Sequence, residues 1–373
     1  MPIDLEKVSS SITKTGFHLE YKIGTILRDN GWHLISNRCY IDDHEGAVRE
    51  IDLLGYKVTK IKDFSLYTVL IISCKKSESN AWALLTRAVE KNDPNYNWRP
   101  FKGWSNHPAL SYYMAGKTWP HIYHEKLSAA CPRLFEAPNS DVFAFQEINK
   151  NSGSVQNDKA IFSSITSLMK AQSYEMSLLE GRQKDIKRTY QFNLVSIIDS
   201  ELVKVFFDGE NIEAHDIQSE DYLCRYILNK EEAIARIKFT TADFFPELIN
   251  DYNVLHSENK KIFAEYYERF YYDAYKTFRK SNLIKSELLR SISPSLQRAR
   301  YGFERKFDKF TDIDFYWNEK NQVLELGLVG ENLNQKLMDS LNIDKDLAKA
   351  TKKALSEIFH YEGAFVFDEG IVF

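Results

Sequence analysis

Two strand-like runs carry charges where a buried strand should carry none. "REIDLLGYKV" (49–58) places Asp52 between Ile51 and Leu53, and "LYTVLIISCKK" (66–76) ends an apolar run on Lys75 and Lys76. A charge inside an apolar strand costs several kcal/mol unless it is paired, hydrogen-bonded or bound to metal. If the two runs are neighbours in one sheet, Asp52 and Lys75 can meet at a common edge. A carboxylate there can hold a hard divalent cation, and a lysine can stabilise negative charge developing on a phosphate.

The pattern around these runs is mixed. "TGFHLEYKIGTILRDNGW" reads as a helix from about Thr15 to Asn30, ended by Gly31, with Phe17, Glu20, Gly24 and Leu27 on its packed face. "HLISNRCYI" and the two charged runs then give three strands joined by short turns. "SNAWALLTRAVEKN" (79–92) reads as a helix capped by Ser79 or Asn80, with Ala81, Leu84, Leu85 and Ala88 on its apolar face. Residues from about 93 to 135, rich in aromatics and proline, read as an irregular insertion over the sheet. "DVFAFQEI" resumes the sheet, and "DKAIFSSITSLMKAQSYEMSLL" is an amphipathic helix. "TYQFNLVSIID", "VKVFFDG", "DYLCRYIL" and "IARIKFTT" follow as strands, and the Asp-Gly of "VFFDGEN" marks a hairpin turn.

This alternation gives one α/β domain over 1 to about 255, and a smaller α+β or helical domain over 256–373. The second part opens on the aromatic helix "EYYERFYYDAYKTF", better explained as core or dimer interface than as a ligand box. No internal repeat is present.

Composition only narrows the class. The 373 residues are 43% hydrophobic with a net charge of −4, which is globular and not globally nucleic-acid-like. No apolar run reaches the roughly 20 residues of a membrane span. The start lacks a basic segment followed by an apolar one, so no secretory signal is expected. Cys39, Cys74, Cys131 and Cys224 are widely spaced, which suits reduced thiols of a cytoplasmic protein better than a zinc ribbon or disulfide framework.

"GFHLEYKIGTILRDNGW", "REIDLLGY" and "LIISCKKS" together resemble the core of the PD-(D/E)XK nuclease superfamily, the restriction-endonuclease-like fold, and most of all its Mrr-type and defence-associated branches. The resemblance covers roughly Gly16 to Ser77 and extends to the helix at Asp158. It implies a mixed sheet flanked by helices, Mg²⁺ or Mn²⁺ as cofactor, and hydrolysis of DNA phosphodiester bonds in restriction or phage defence, with RNA as another possible substrate. A homodimer or a larger defence complex is the expected assembly. Asp52 takes the place of the metal-binding aspartate, Lys75 of the catalytic lysine and Glu20 of the helix acid, and the backbone carbonyl of Cys74 adds a ligand.

One position departs from the pattern. Two residues before the lysine the family has an acid, and here Ser73 stands, able only to orient water or a neighbouring carboxylate. Some members with S-x-K draw the missing carboxylate from the following helix, which points to Glu90, with Glu78 as the nearer substitute. Otherwise the site is inactive and the fold serves as a nucleic-acid-binding or scaffold subunit.

Lys76, Ser73, Lys159 and Gln172 are the candidate nucleic-acid contacts, with Lys170 beside them on the long helix. His121, His124 and Glu125 in "PHIYHEK" lack the HExxH order and read as an aromatic-loop pair. Trp98, Trp104 and Trp119 can stack on bases, although packing over the sheet is the commoner use of such residues.

Overall fold

The computed structural model describes residues 3–42, 46–90, 99–181, 185–228, 230–305 and 308–370. Helices α1 (Leu5–Ile12) and α2 (Gly16–Asp29) precede strands β1 (His33–Ile41), β2 (Val48–Ile61), β3 (Phe64–Lys76), β4 (Asn80–Ala88) and β5 (Gly103–Ser105). Three short helices follow, α3 (Pro108–Met114), α4 (Trp119–Ser128) and α5 (Pro132–Phe135), then β6 (Ser140–Asn149) and α6 (Lys159–Ser177). Five strands come next: β7 (Lys187–Asp199), β8 (Leu202–Asp208), β9 (Asn211–Ile217), β10 (Ser219–Leu228) and β11 (Glu231–Thr241). The chain ends with α7 (Phe245–Tyr271), α8 (Phe278–Glu304), β12 (Phe310–Asn318), β13 (Val323–Gly330), α9 (Gln335–Ile343), α10 (Lys345–Phe359) and β14 (Ala364–Glu369).

The protein is of mixed α/β class. Its chain divides into two compact units, one of 1–107 and 114–262, the other of 108–113 and 263–373. The first holds a seven-stranded mixed sheet in the order β1-β2-β3-β7-β11-β10, with β5 also paired to β7, and a four-stranded sheet β6-β4-β8-β9. β1, β2 and β3 are antiparallel neighbours, whereas β3–β7 and β7–β11 are parallel, so β3 joins a local meander to strands far along the chain.

Helix α2 docks on the sheet through Leu19, Ile23 and Leu27, all buried, while Phe17 is exposed. Gly24 and Gly55 permit this close approach: a Cβ on Gly24 would stand 3.0 Å from Leu34, and one on Gly55 would stand 3.5 Å from Leu27. Adjacent strand residues face opposite ways. Leu54, beside Gly55, therefore joins Val69 and Ile71 on the other face, under Ile161, Ile165, Leu168 and Met169 of α6.

The expected helix at 79–92 is the strand β4. Its residues 81–84 are all buried, and it pairs with β6 on one side and β8 on the other. Alanine and leucine favour helix in isolation, but a central strand buried on both faces is also a continuous apolar run, and tertiary pairing overrides propensity here. The expected irregular insertion is largely helical over its described part, since Pro108, Pro120 and Pro132 each sit in the first turn of a short helix, where a missing N–H costs nothing. Residues 91–98, including Trp98, lie outside the described residues. The Asp-Gly turn does join a hairpin, β8–β9, with Gly209 at φ +61°.

In the second unit β12-β13-β14 form a three-stranded sheet. Phe263, Tyr266, Tyr267 and Phe270, from the aromatic run of α7, are buried in core.

Candidate active site at the β2–β3 opening

The ladder between β2 and β3 runs from Ile61–Phe64 to Leu53–Ile72 and stops there, although β3 stays paired to β7 as far as Lys76–Asp199. The strands therefore part at Asp52. The Asp52 carboxylate fills the opening: its Oδ2 accepts the Cys74 backbone N–H at 2.7 Å, the Ser73 hydroxyl at 3.2 Å and the Lys75 ammonium at 3.3 Å. The cost of a charge in this strand is offset by three donors, and both side chains of the Asp52–Lys75 pair stay partly open to solvent, at 22% and 28%. Ser73 thus orients the aspartate.

Glu20 comes to the same place from α2, held there because Leu19 and Ile23 anchor that stretch of helix in the core. Its carboxyl is pushed from the ordinary 4.5 up to about 7, first by burial, then by the negative charges of Asp52 and Glu50, with Lys75 pulling the other way. Three acids therefore act on one another around one lysine. Glu50 is the member that sequence reading missed. It lies two residues before Asp52 on β2, is exposed, and accepts the Asn37 side-chain amide at 2.6 Å. The acid-x-acid spacing in "REIDLL" was the available signal, since strand residues two apart share a face.

The Cys74 thiol is buried and raised well above its ordinary value, first by burial and then by Asp52 and Glu20, which leaves it inert as a nucleophile. Among the described residues no three His, Cys, Asp or Glu side chains converge closely enough to form a ready-made metal cage. Two carboxylates under mutual repulsion remain a fitting donor set for Mg²⁺ or Mn²⁺, ions commonly held by one or two protein carboxylates plus water and substrate phosphate.

Other expected residues fall elsewhere. Glu90 is exposed beyond the end of β4 and not on a helix, so the route that was to carry it back to Asp52 is absent. Its strand starts at Asn80 and, at about 3.3 Å per residue, takes it roughly 30 Å further along the extended chain. Lys76 bonds the Thr13 carbonyl at 3.0 Å and lies 3.5 Å from Asp199, which ties it to the chain's own groups. Lys159 is exposed at the start of α6, but Gln172 is 4% exposed, too deep for a phosphate backbone. Lys170 is likewise occupied, by the buried Asp42 at 2.8 Å.

His124 is buried against the Pro100 carbonyl at 3.1 Å, and His121 lies 3.1 Å from Arg99. Neither belongs to a metal cluster among the described residues. Trp119 is 2% exposed and packs on Phe101 and Tyr123, which leaves it no free face for stacking, while Trp104 is half-buried beside Tyr190. All four cysteines are free thiols. No helix among the described residues is long and apolar enough to cross a membrane. Comparison of the chain with protein-family models, with curated proteins and with solved structures gives no match.

Proposed function

We propose that the first unit is a divalent-metal-dependent nuclease of the PD-(D/E)XK kind, hydrolysing DNA phosphodiester bonds in restriction or phage defence. The observation that carries this reading is the opening between β2 and β3, where Asp52, Lys75 and the raised carboxyl of Glu20 act on one another. Asp52 and Glu20, with the Cys74 carbonyl, would hold Mg²⁺ or Mn²⁺. Such an ion supplies Lewis-acid polarisation of a phosphate oxygen. Lys75 brings an ammonium to the charge that develops on the phosphate. The Glu20 carboxyl, raised to about 7 in the free protein, would give up its proton on binding the ion, which leaves Lys75 to position the attacking water. The Ser73 and Cys74 donors fix the Asp52 carboxylate in one orientation.

A second reading rests on Ser73 in place of the expected acid and on the absence of a three-ligand cluster among the described residues. Here the Asp52–Lys75 pair is structural and the unit is a nucleic-acid-binding or scaffold subunit.

The deciding assay is nicking of supercoiled plasmid with Mg²⁺ or Mn²⁺, beside Asp52→Asn and Lys75→Met. Cutting that both substitutions abolish supports the nuclease. Intact plasmid at every metal concentration, from a folded wild type that still binds DNA, supports the second reading.

A further inference from the structure

A second polar centre lies in the first unit, built from residues other than Asp52, Lys75 and Glu20. A cavity of about 50 Å³ opens between β10, β11, α4 and α6, lined among others by Lys102, His124, Gln172, Asp221, Arg236 and Lys238. On this volume it takes a few waters or one small polyatomic ion, because a single water needs only about 10–15 Å³ of such space.

The cavity's hydrogen bonding is incomplete. Asp221 Oδ2 accepts Lys238 Nζ and Arg236 Nη2, each at 2.7 Å, and those two cations also reach the Arg133 and Glu136 carbonyls. Asp221 Oδ1, Arg236 Nε and Nη1, and His124 Nδ1 are buried with no partner. Buried polar atoms without partners are costly, so the centre calls for an occupant.

Charge selects its sign. Among the six residues named, Arg236 and Lys238 stand against the single carboxylate of Asp221, one positive charge in excess, and Lys102, whose ammonium burial disfavours, would add a second once an anion is present. His124 adds none near neutrality, because burial holds its imidazole down at about 4.

The unpartnered atoms select its protonation. The contact of His124 Nε2 with the Pro100 carbonyl requires that nitrogen to carry the proton, so Nδ1 is an acceptor, like Asp221 Oδ1. The Arg236 nitrogens are donors. An occupant must therefore accept from guanidinium and also donate from a hydroxyl of its own. We propose that this cavity is a binding site for a small hydroxyl-bearing oxyanion of the phosphate class, which it selects over sulfate.

The test is calorimetric titration of the full chain with inorganic phosphate at matched ionic strength, with chelator present so that a metal-held anion cannot contribute. Saturable one-to-one binding, at least about tenfold tighter than sulfate, is expected. Lys102→Met should lose most of that affinity with the unliganded melting temperature unchanged. If Arg236→Gln proves unstable, the His124 ring nitrogen signals of the wild type should still move on phosphate addition. Bicarbonate binding in preference to phosphate overturns the phosphate assignment. No heat and no His124 shift up to ~10 mM phosphate, or equal binding of sulfate, overturns the site and leaves buried water as the occupant. None of these readouts depends on whether the chain cuts DNA.

Discussion

Asp52 Oδ2 accepts the Cys74 backbone N–H at 2.7 Å, and a side chain thereby closes the rung that the β2–β3 ladder leaves open beyond Leu53. Asp52→Ala leaves that amide, on a buried residue, without its acceptor, and should cost about 1–3 kcal/mol in urea unfolding. Asp52→Asn keeps an oxygen for the amide and should cost less than Asp52→Ala. Equal loss in both would mean that charge, not the amide bond, holds the strands at this point.

Lys75 lies 3.3 Å from Asp52 with more than a quarter of its side chain open to solvent. Lys75→Met should change stability by less than about 1 kcal/mol, as for other half-exposed ion pairs. If Lys75 meets the phosphate, the same substitution should lower plasmid cleavage by about 10²–10³-fold. Glu90→Ala, by contrast, should leave cleavage at the wild-type rate.

The pH behaviour follows from Glu20. Its folded-state pKa, about 7, lies above the ordinary 4.5, so the folded protein holds this proton more tightly than the unfolded chain does. The stability it contributes is complete below 4.5 and is lost as the pH rises through 7. A divalent cation competes with that proton, and Mg²⁺ or Mn²⁺ should therefore raise the melting temperature more at pH values above 7 than below. Glu20→Gln should flatten this dependence and shrink the metal-induced shift. A shift independent of pH would remove Glu20 from the metal set.

In the second unit Arg300 is fully buried on α8. It is bonded to Glu304 and Asp308 and to the carbonyls of Glu331 and Asn332. Arg300→Met strands two carboxylates and those carbonyls together, and should cost about 3–5 kcal/mol. Thermal melting followed at tryptophan and by calorimetry would measure it.

The central pattern was legible because burial is costly for charge. Asp52 and Lys75 stand out of their apolar runs, and the structure brings them together. The helix carrying Glu20 was equally plain from its period. The helix that was to bring Glu90 to Asp52 is a strand instead, since "NAWALLTRA" shows only that it is apolar, and β6 and β8, which hold it as a strand, come from beyond residue 139. Glu50 was overlooked because an exposed acid in a strand normally needs no explanation. Its part emerges only through the field it exerts on Glu20. The polar cavity was illegible for a similar reason: Lys102, His124, Asp221 and Arg236 are brought together by topology across more than a hundred residues.

β3 lies between a neighbour it meets through a tight turn and one it must wait for. Phe64 pairs with Ile61 almost at once, whereas Ile72 pairs with Val195 only after β4, β6 and α6 have been passed. Loop closure over that distance is slow compared with hairpin formation. During synthesis the meander of β1–β3 can form early with one edge of β3 bare. Asp52 and Lys75 are then present in the chain but not yet set against β7. The candidate site should acquire its final rigidity late, as β7 seals that edge, and a chain stalled before residue 187 should have the residues of the site without its geometry.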